Sequence, residues 1–199
     1  MAGSPGSQGI RLASVWIALG GNVGDRIAHL SAGLFSLATH PEIEVREVSS
    51  LYESDFVGPG EQDPYLNACV AVTTSLPPRV LLMVLKLAEQ RRGRAPGSHM
   101  EPRPLDLDIL IYDDLVCADP VLSLPHPRMG ERAFVLEPLA EISPQLVLPD
   151  SGETACTACE RIRGCGGQKI RPLPADPQWP RPLACRKDDW RASLAVHCR

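Results

Sequence analysis

Residues 101–112 read EPRPLDLDILIY. From Asp106 to Tyr112 the run is apolar except for Asp106 and Asp108, and it predicts a buried strand over 106–112. Alternation along a strand puts both aspartates on one face, about 7 Å apart. Two carboxylates at that separation can each ligate a divalent cation or hold a pair of them. Hard oxygen ligands suit Mg²⁺, which also takes oxygens from substrate phosphates. Taken alone, such a pair is more often a solvated strand start than a site. The company changes that balance: Arg103 stands three residues upstream, and Arg94 lies in the same preceding loop.

Working outward from this strand, Val15–Leu19 reads as a buried strand ending in GGNVGD, where Asp25 caps a helix carrying Ile27, Leu30, Leu34 and Leu37. Residues 44–53 alternate like a half-buried strand, and SDFVGPGEQDP is a Gly/Pro loop. Leu66–Thr74 forms the next strand. Pro77-Pro78 opens a helix with Leu81, Val84, Leu85 and Ala88 inward, and Gly93 stops it. After the Asp strand come a turn at Asp113-Asp114, a strand at 121–124 and a helix over 131–142. A short strand at 146–148, a helix over 153–163 and a strand at 169–173 complete the chain. The order β-α-β-β-α-β with additions predicts an α+β fold, a ferredoxin-like antiparallel sheet with helices packed on its faces in three αβα layers. Residues 1–13 read as a flexible leader, 14–174 as the domain, and 175–199 as a Pro-rich loose tail.

Composition narrows the function. Hydrophobic residues make up 44% of the 199 and charged residues 22%. No run approaches a membrane span, and the N-terminus has no apolar signal core, which favours the cytoplasm. Residues 1–150 carry a net charge of -8 and residues 151–199 a net of +4. An acidic main domain speaks against nucleic acid as a partner. The cluster Arg91, Arg92, Arg94 and Arg103 instead suits a small polyanion. Cys156 and Cys159 form a C-x-x-C without a second pair at zinc-ligand spacing, so reduced thiols are expected.

Other stretches add chemistry. PHPRMGER supplies His126, Arg128 and Arg132, and a helix N-terminus there already favours an anion. LGGNVGDR fits neither phosphate-loop pattern; its glycines permit a tight turn and close approach of a ligand or neighbouring strand, and Asn22 offers hydrogen bonds. Tyr65 and Asn67 share one face of a strand start. Tyr65 and Phe134 can stack on a flat ring, with ordinary core packing as the alternative for Phe134.

Together these residues resemble the 6-hydroxymethyl-7,8-dihydropterin pyrophosphokinases of folate biosynthesis. The likeness runs through WIALGGNVGDR, SSLYES, DPYLNACVAV, EQRRGR, PRPLDLDILIY and LPHPRMGERAFVLEPLAEI to about Leu173. It implies a ferredoxin-like monomer that transfers pyrophosphate from ATP to the pterin hydroxymethyl group, with no nucleic-acid or membrane partner. By the resemblance, Asp106 and Asp108 bind two Mg²⁺ ions, and Arg94 and Arg103 act in catalysis. His126 and Arg132 join them on the triphosphate, Ile109 and Ser123 flank the adenosine, and Glu89 stands on a helix near it. Tyr65 and Phe134 sandwich the pterin, Asn67 bonds its edge, and Ser54 and Val57 offer it backbone groups. Two positions depart from the family: Met100 stands where it usually has Trp, and Glu101 replaces a small residue. The alternatives are a ferredoxin-like ligand sensor or RNA-binding sheet, and a cyclase-like nucleotide transferase on the same fold.

Overall fold

The computed structural model describes residues 11–94, 101–165 and 168–180. Its elements are β1 (Ala13–Gly21), α1 (Arg26–Ala38), β2 (Ile43–Val48), β3 (Tyr52–Ser54), β4 (Tyr65–Thr74), α2 (Pro78–Arg91), β5 (Asp106–Tyr112), β6 (Cys117–Ala118), β7 (Ser123–Leu124), α3 (Ala133–Ile142), α4 (Ala155–Gly164) and β8 (Ile170–Pro172). The main sheet runs β5-β1-β4-β3-β8, with β2 also on β4, and every pairing is antiparallel. This is the expected ferredoxin-like order.

Alternation along β1 builds both layers. Ala13, Val15, Ile17 and Leu19 are buried against α1 and α2 with Leu30, Leu34, Leu81 and Leu85. The other face of β1 shrinks along the strand from Trp16 to Ala18 to Gly20. Trp16 packs in the second cluster, with α3 and α4, and its Nε1 donates to Ser143 Oγ at 2.8 Å. Toward Gly20 there is little side chain to fill the space, and the sheet face opens there. The result is the three-layer αβα arrangement.

Several local readings shift. Residues 44–53 form two strands because the Ser49 hydroxyl takes the Cys69 N–H at 2.9 Å and interrupts the ladder. The strand expected at 121–124 shortens to β7, and 146–148 contributes one bridge, Val147 to Thr154. A 3₁₀ turn at Met129–Glu131 precedes α3, and Pro138 stays inside that helix, losing one intrahelical bond. Gly21 is constrained by close approach: a Cβ there would collide with the Pro104 carbonyl.

Residues 175–180 were expected in the loose tail, yet within them Trp179 and Pro180 are buried. Trp179 is 5% exposed within the α1/α2 cluster, its Nε1 donates to Ser49 O at 2.8 Å, and Ser31 Oγ donates to Gln178 O at 2.7 Å. A proline-rich segment without periodicity buries one large aromatic, which composition does not reveal. The rest of the expected tail, 181–199, and the leader residues 1–10 lie outside the described residues. Among the described residues no helix is long and apolar enough to cross a membrane.

The ends of α1 and α2 meet through His29, whose Nδ1 accepts from Arg92 Nε at 3.1 Å and lies 2.8 Å from Arg92 Nη2. Burial, then the Arg92 charge, lowers the His29 pKa from 6.5. The unfolded chain therefore binds this proton at a higher pH than the native one. Its stabilising effect is complete above about pH 6.5 and fades as the pH falls toward the lower native value. Two outcomes are expected. Trp179→Ala lowers the unfolding free energy by about 3 kcal/mol in urea titrations, and an unchanged midpoint would place Trp179 off the core. Stability falls between pH 7.5 and 5.5 more steeply in the wild type than in His29→Gln; equal slopes would sink the His29 assignment.

Candidate functional site

The site lies where β1 tapers. Gly20 sits opposite Asp106 on β5 and opposite Asn67 on β4, so two polar side chains flank a position without one. Asp106 and Asp108 share the cleft face of β5, while Leu107 and Ile109 pack into the α1/α2 core. Asp106, Asp108, Asn67, Ser54, Val57, Tyr65, Arg103, His126, Arg132 and Phe134 all line one cleft. Of the residues expected there, Ile109, Ser123, Arg94 and Glu89 fall outside its lining. The Ile109 side chain is 3% exposed in the core, and Ser123 Oγ donates to Asp119 O at 3.4 Å on β7.

Glu89 acts from beneath the cleft. Its residue exposure is 2%, and Oε1 accepts from the Leu107 N–H and from Lys86 Nζ, each at 2.7 Å. Oε2 pairs with Arg94 Nη1 at 2.8 Å. Burial raises the Glu89 pKa, and Lys86 opposes that rise. The same Arg94 Nη1 contacts Asp106 Oδ1. Burial works against the Arg94 charge, but Asp106 and Glu89 outweigh it and raise the Arg94 pKa. On the other side of Asp106, Arg103 Nε lies 3.1 Å from Oδ2 without hydrogen-bond alignment. Asp108 is more open, with its side chain 37% exposed and Lys86 Nζ 3.6 Å away.

Asn22 fixes Arg103 from the end of β1. Its backbone N–H donates to Arg103 O at 3.0 Å and its Oδ1 accepts the Arg103 N–H at 2.9 Å. Its Nδ2 donates to Gln62 Oε1 at 3.2 Å and to Asp63 O at 3.3 Å. Gln62 Oε1 also accepts from Tyr65 Oη at 3.0 Å. The stretch LGGNVGD thus serves as a tight corner that joins the arginine segment to the aromatic one.

The aromatic end differs in one respect from expectation. Tyr65 stacks on Phe56, centroids 6.0 Å apart at 21°. Phe134 lines the same cleft, with Arg132 Cζ 5.4 Å from its centroid. Phe56 has a legible signal, since an aromatic inside the Gly/Pro loop SDFVGPG has no periodic core face to join. Asn67 Nδ2 donates to Ser54 Oγ at 3.0 Å, and Gln168 Nε2 donates to Asp55 O at 2.8 Å, steadying the loop that carries Phe56 and Val57. Gln168 carries no signal in sequence, because β8 brings it there from 113 positions away.

The basic end holds His126, Arg128 and Arg132. His126 N–H donates to Leu110 O at 2.8 Å, and its Nδ1 accepts the Arg128 N–H at 3.3 Å. The neutral ring therefore carries its proton on Nε2. Burial, opposed by Asp108, lowers the His126 pKa. Burial and then Arg128 lower that of Arg132. Among the described residues neither Arg128 nor Arg132 has a carboxylate partner within 4.0 Å. Two half-satisfied cations, a neutral imidazole and two aromatic walls suit an anion joined to a flat ring.

Residues 16–144 match the family model of the 7,8-dihydro-6-hydroxymethylpterin-pyrophosphokinases. The chain belongs to this pyrophosphokinase family. It is 42% identical over 146 residues to the 2-amino-4-hydroxy-6-hydroxymethyldihydropteridine pyrophosphokinase of Synechocystis, covering 73% of this chain and 74% of that one. It is 38% identical over 160 residues to the Pseudomonas aeruginosa enzyme of the same name, covering 80% and 96%. Folic acid synthesis protein fol1 of Pneumocystis carinii matches at 38% over 75% of this chain, which spans 20% of that longer protein. A solved Plasmodium falciparum HPPK-DHPS structure shares the fold with a TM-score of 0.62 at 14% identity, covering 78% of this chain and 46% of that one. The likeness to that structure concerns the fold alone. Of the pyrophosphokinase loop that departs from the family, Met100 lies outside the described residues and Glu101 is exposed.

Glu89→Ala removes a buried anion that serves Arg94, Lys86 and the Leu107 amide together. Its unfolding free energy is expected to drop by about 3 kcal/mol in chemical denaturation. A loss of only a few tenths would show that these three groups find other partners.

Proposed function

We propose that this protein transfers pyrophosphate from ATP to the hydroxymethyl group of 6-hydroxymethyl-7,8-dihydropterin, releasing AMP. The observation that carries this reading is one cleft lined together by three kinds of group. Aromatic walls, the Asp106/Asp108 carboxylate pair and two arginines without carboxylate partners, Arg128 and Arg132, all border it.

The pterin lies between Phe134 and the Tyr65–Phe56 pair. Asn67 and Ser54 meet its polar edge, and the Val57 segment offers backbone groups. Its hydroxymethyl oxygen then points toward the carboxylates and attacks the β-phosphorus of ATP as AMP leaves. Arg132, Arg128 and the Nε2–H of His126 bind phosphate oxygens. Arg94 and Arg103 neutralise charge on the transferred group, as arginines do in phosphoryl transfer. Ser123 and the backbone at Ile109 lie beside the adenosine, and Glu89 serves by holding Arg94.

The donor set at Asp106 and Asp108 suits Mg²⁺. Both ligands are hard oxygens on one face, and among the described residues no third His, Cys, Asp or Glu completes a cage. Asp106 and Asp108 would hold the ion, and the rest of its ligands would come from outside the protein, as is usual for Mg²⁺ at phosphate sites. Two such ions, when bound, neutralise triphosphate charge and orient the chain.

The test is product analysis after mixing protein, ATP, Mg²⁺ and hydroxymethyldihydropterin. AMP and the pterin pyrophosphate are expected in equal amounts. Cyclic nucleotide without pterin consumption would favour the cyclase-like alternative. Asp106→Ala and Asp108→Ala are each expected to lower turnover at least about 10³-fold with the fold retained. Near-wild-type turnover in either would refute the assignment of that carboxylate.

A further inference from the structure

Lys86 lies outside the cleft lining, yet its ammonium reaches one member of the acidic pair, Asp108. It lies on α2 one turn before Glu89. Its ammonium has three donors. One goes to Glu89 Oε1 at 2.7 Å and another to the Leu107 carbonyl at 3.1 Å, on the outer edge of β5. These two anchors fix the charge 3.6 Å from Asp108 Oδ1, beyond hydrogen-bond length but well inside ion-pair range. Glu89 is sealed and cannot follow a ligand, whereas the side chains of Lys86 and Asp108 are 38% and 37% exposed.

The contrast with Asp106 is informative. Asp106 is flanked by Arg94 and Arg103, cations that the proposed reaction uses on the phosphates. Among the described residues Asp108 has only Lys86 within ion-pair distance, while Arg94, Arg132 and His126 act on it from farther off. We propose that Lys86 is the built-in counter-ion of Asp108 and sets how tightly the acidic pair accepts a divalent cation. A fixed positive charge beside a ligand carboxylate opposes an incoming dication. The bare pair is therefore a weak cation site, and the metal enters most readily with the negative triphosphate. Lys86 is a positioning and tuning residue, which touches the ligand and not the reacting atoms. A purely structural role, in which Lys86 only caps the edge of β5 through Leu107, makes no such demand on metal affinity.

This inference rests on the assignment of Asp108 as a metal ligand, and its test separates the two. Mn²⁺ is titrated into nucleotide-free protein and followed by water-proton relaxation for the wild type, Lys86→Gln, Lys86→Arg and Asp108→Asn. Thermal unfolding of each variant confirms that it is folded. Lys86→Gln keeps donors for Glu89 and Leu107 but removes the charge, and it is expected to bind Mn²⁺ about tenfold more tightly. Lys86→Arg is expected to stay near wild type. Equal affinity in Lys86→Gln and wild type, with binding lost in Asp108→Asn, overturns the role of Lys86 alone. Wild-type affinity in Asp108→Asn, or no binding in any of the four, overturns the metal assignment and this inference together.

Discussion

The sealed carboxylate of Glu89 is the interaction on which the site depends. One oxygen takes the Leu107 amide and Lys86, and the other takes Arg94. It thereby ties the end of α2 to the outer edge of β5. A buried carboxylate costs several kcal/mol in lost hydration unless its lone pairs are used. Here three donors from two segments use them. The expense yields geometry: a helix end, an edge strand and an arginine cannot move apart without exposing that charge. The two cleft aspartates then inherit a fixed cationic surround.

Much of this was legible in the amino-acid sequence. The alternation of Asp106, Leu107, Asp108 and Ile109 places acids on one face and core on the other, and the structure keeps that division. Asp25 caps α1 as read, accepting the Ala28 N–H at 3.0 Å, and Gly93 takes the left-handed conformation that ends α2. Periodicity and capping act over a few residues, and so they survive in sequence.

What stayed hidden involves distance along the chain or side-chain competition. The Ser49 hydroxyl competes with a strand ladder, which splits 44–53, and no hydropathy pattern records a hydroxyl's choice of partner. Trp179 reaches Ser49 across 130 positions, and Gln168 reaches Asp55 across 113. Glu89 was visible as a residue of the α2 helix, but its burial was not, because nothing local announces that Arg94, Lys86 and the Leu107 amide converge on it. Lys86 had a quiet signal, since it precedes Glu89 by three residues on α2 and so shares its face.

The taper of β1 from Trp16 through Ala18 to Gly20 divides labour between alternate residues. The odd-numbered positions are answerable to the packed interior, and a change there is judged by whether the chain folds. Of the even-numbered positions, Trp16 packs in the second core cluster, while Ala18 and Gly20 border open space, and a change at those two is judged by what still fits. Shape of the cleft and integrity of the fold can therefore drift separately, even though the residues governing them are neighbours in the chain. A single added methyl group at Ala18 or Gly20 would redraw the room available to a guest while leaving the far side of the sheet untouched. Selection for a different guest thus has a short route, and it runs through one half of one strand.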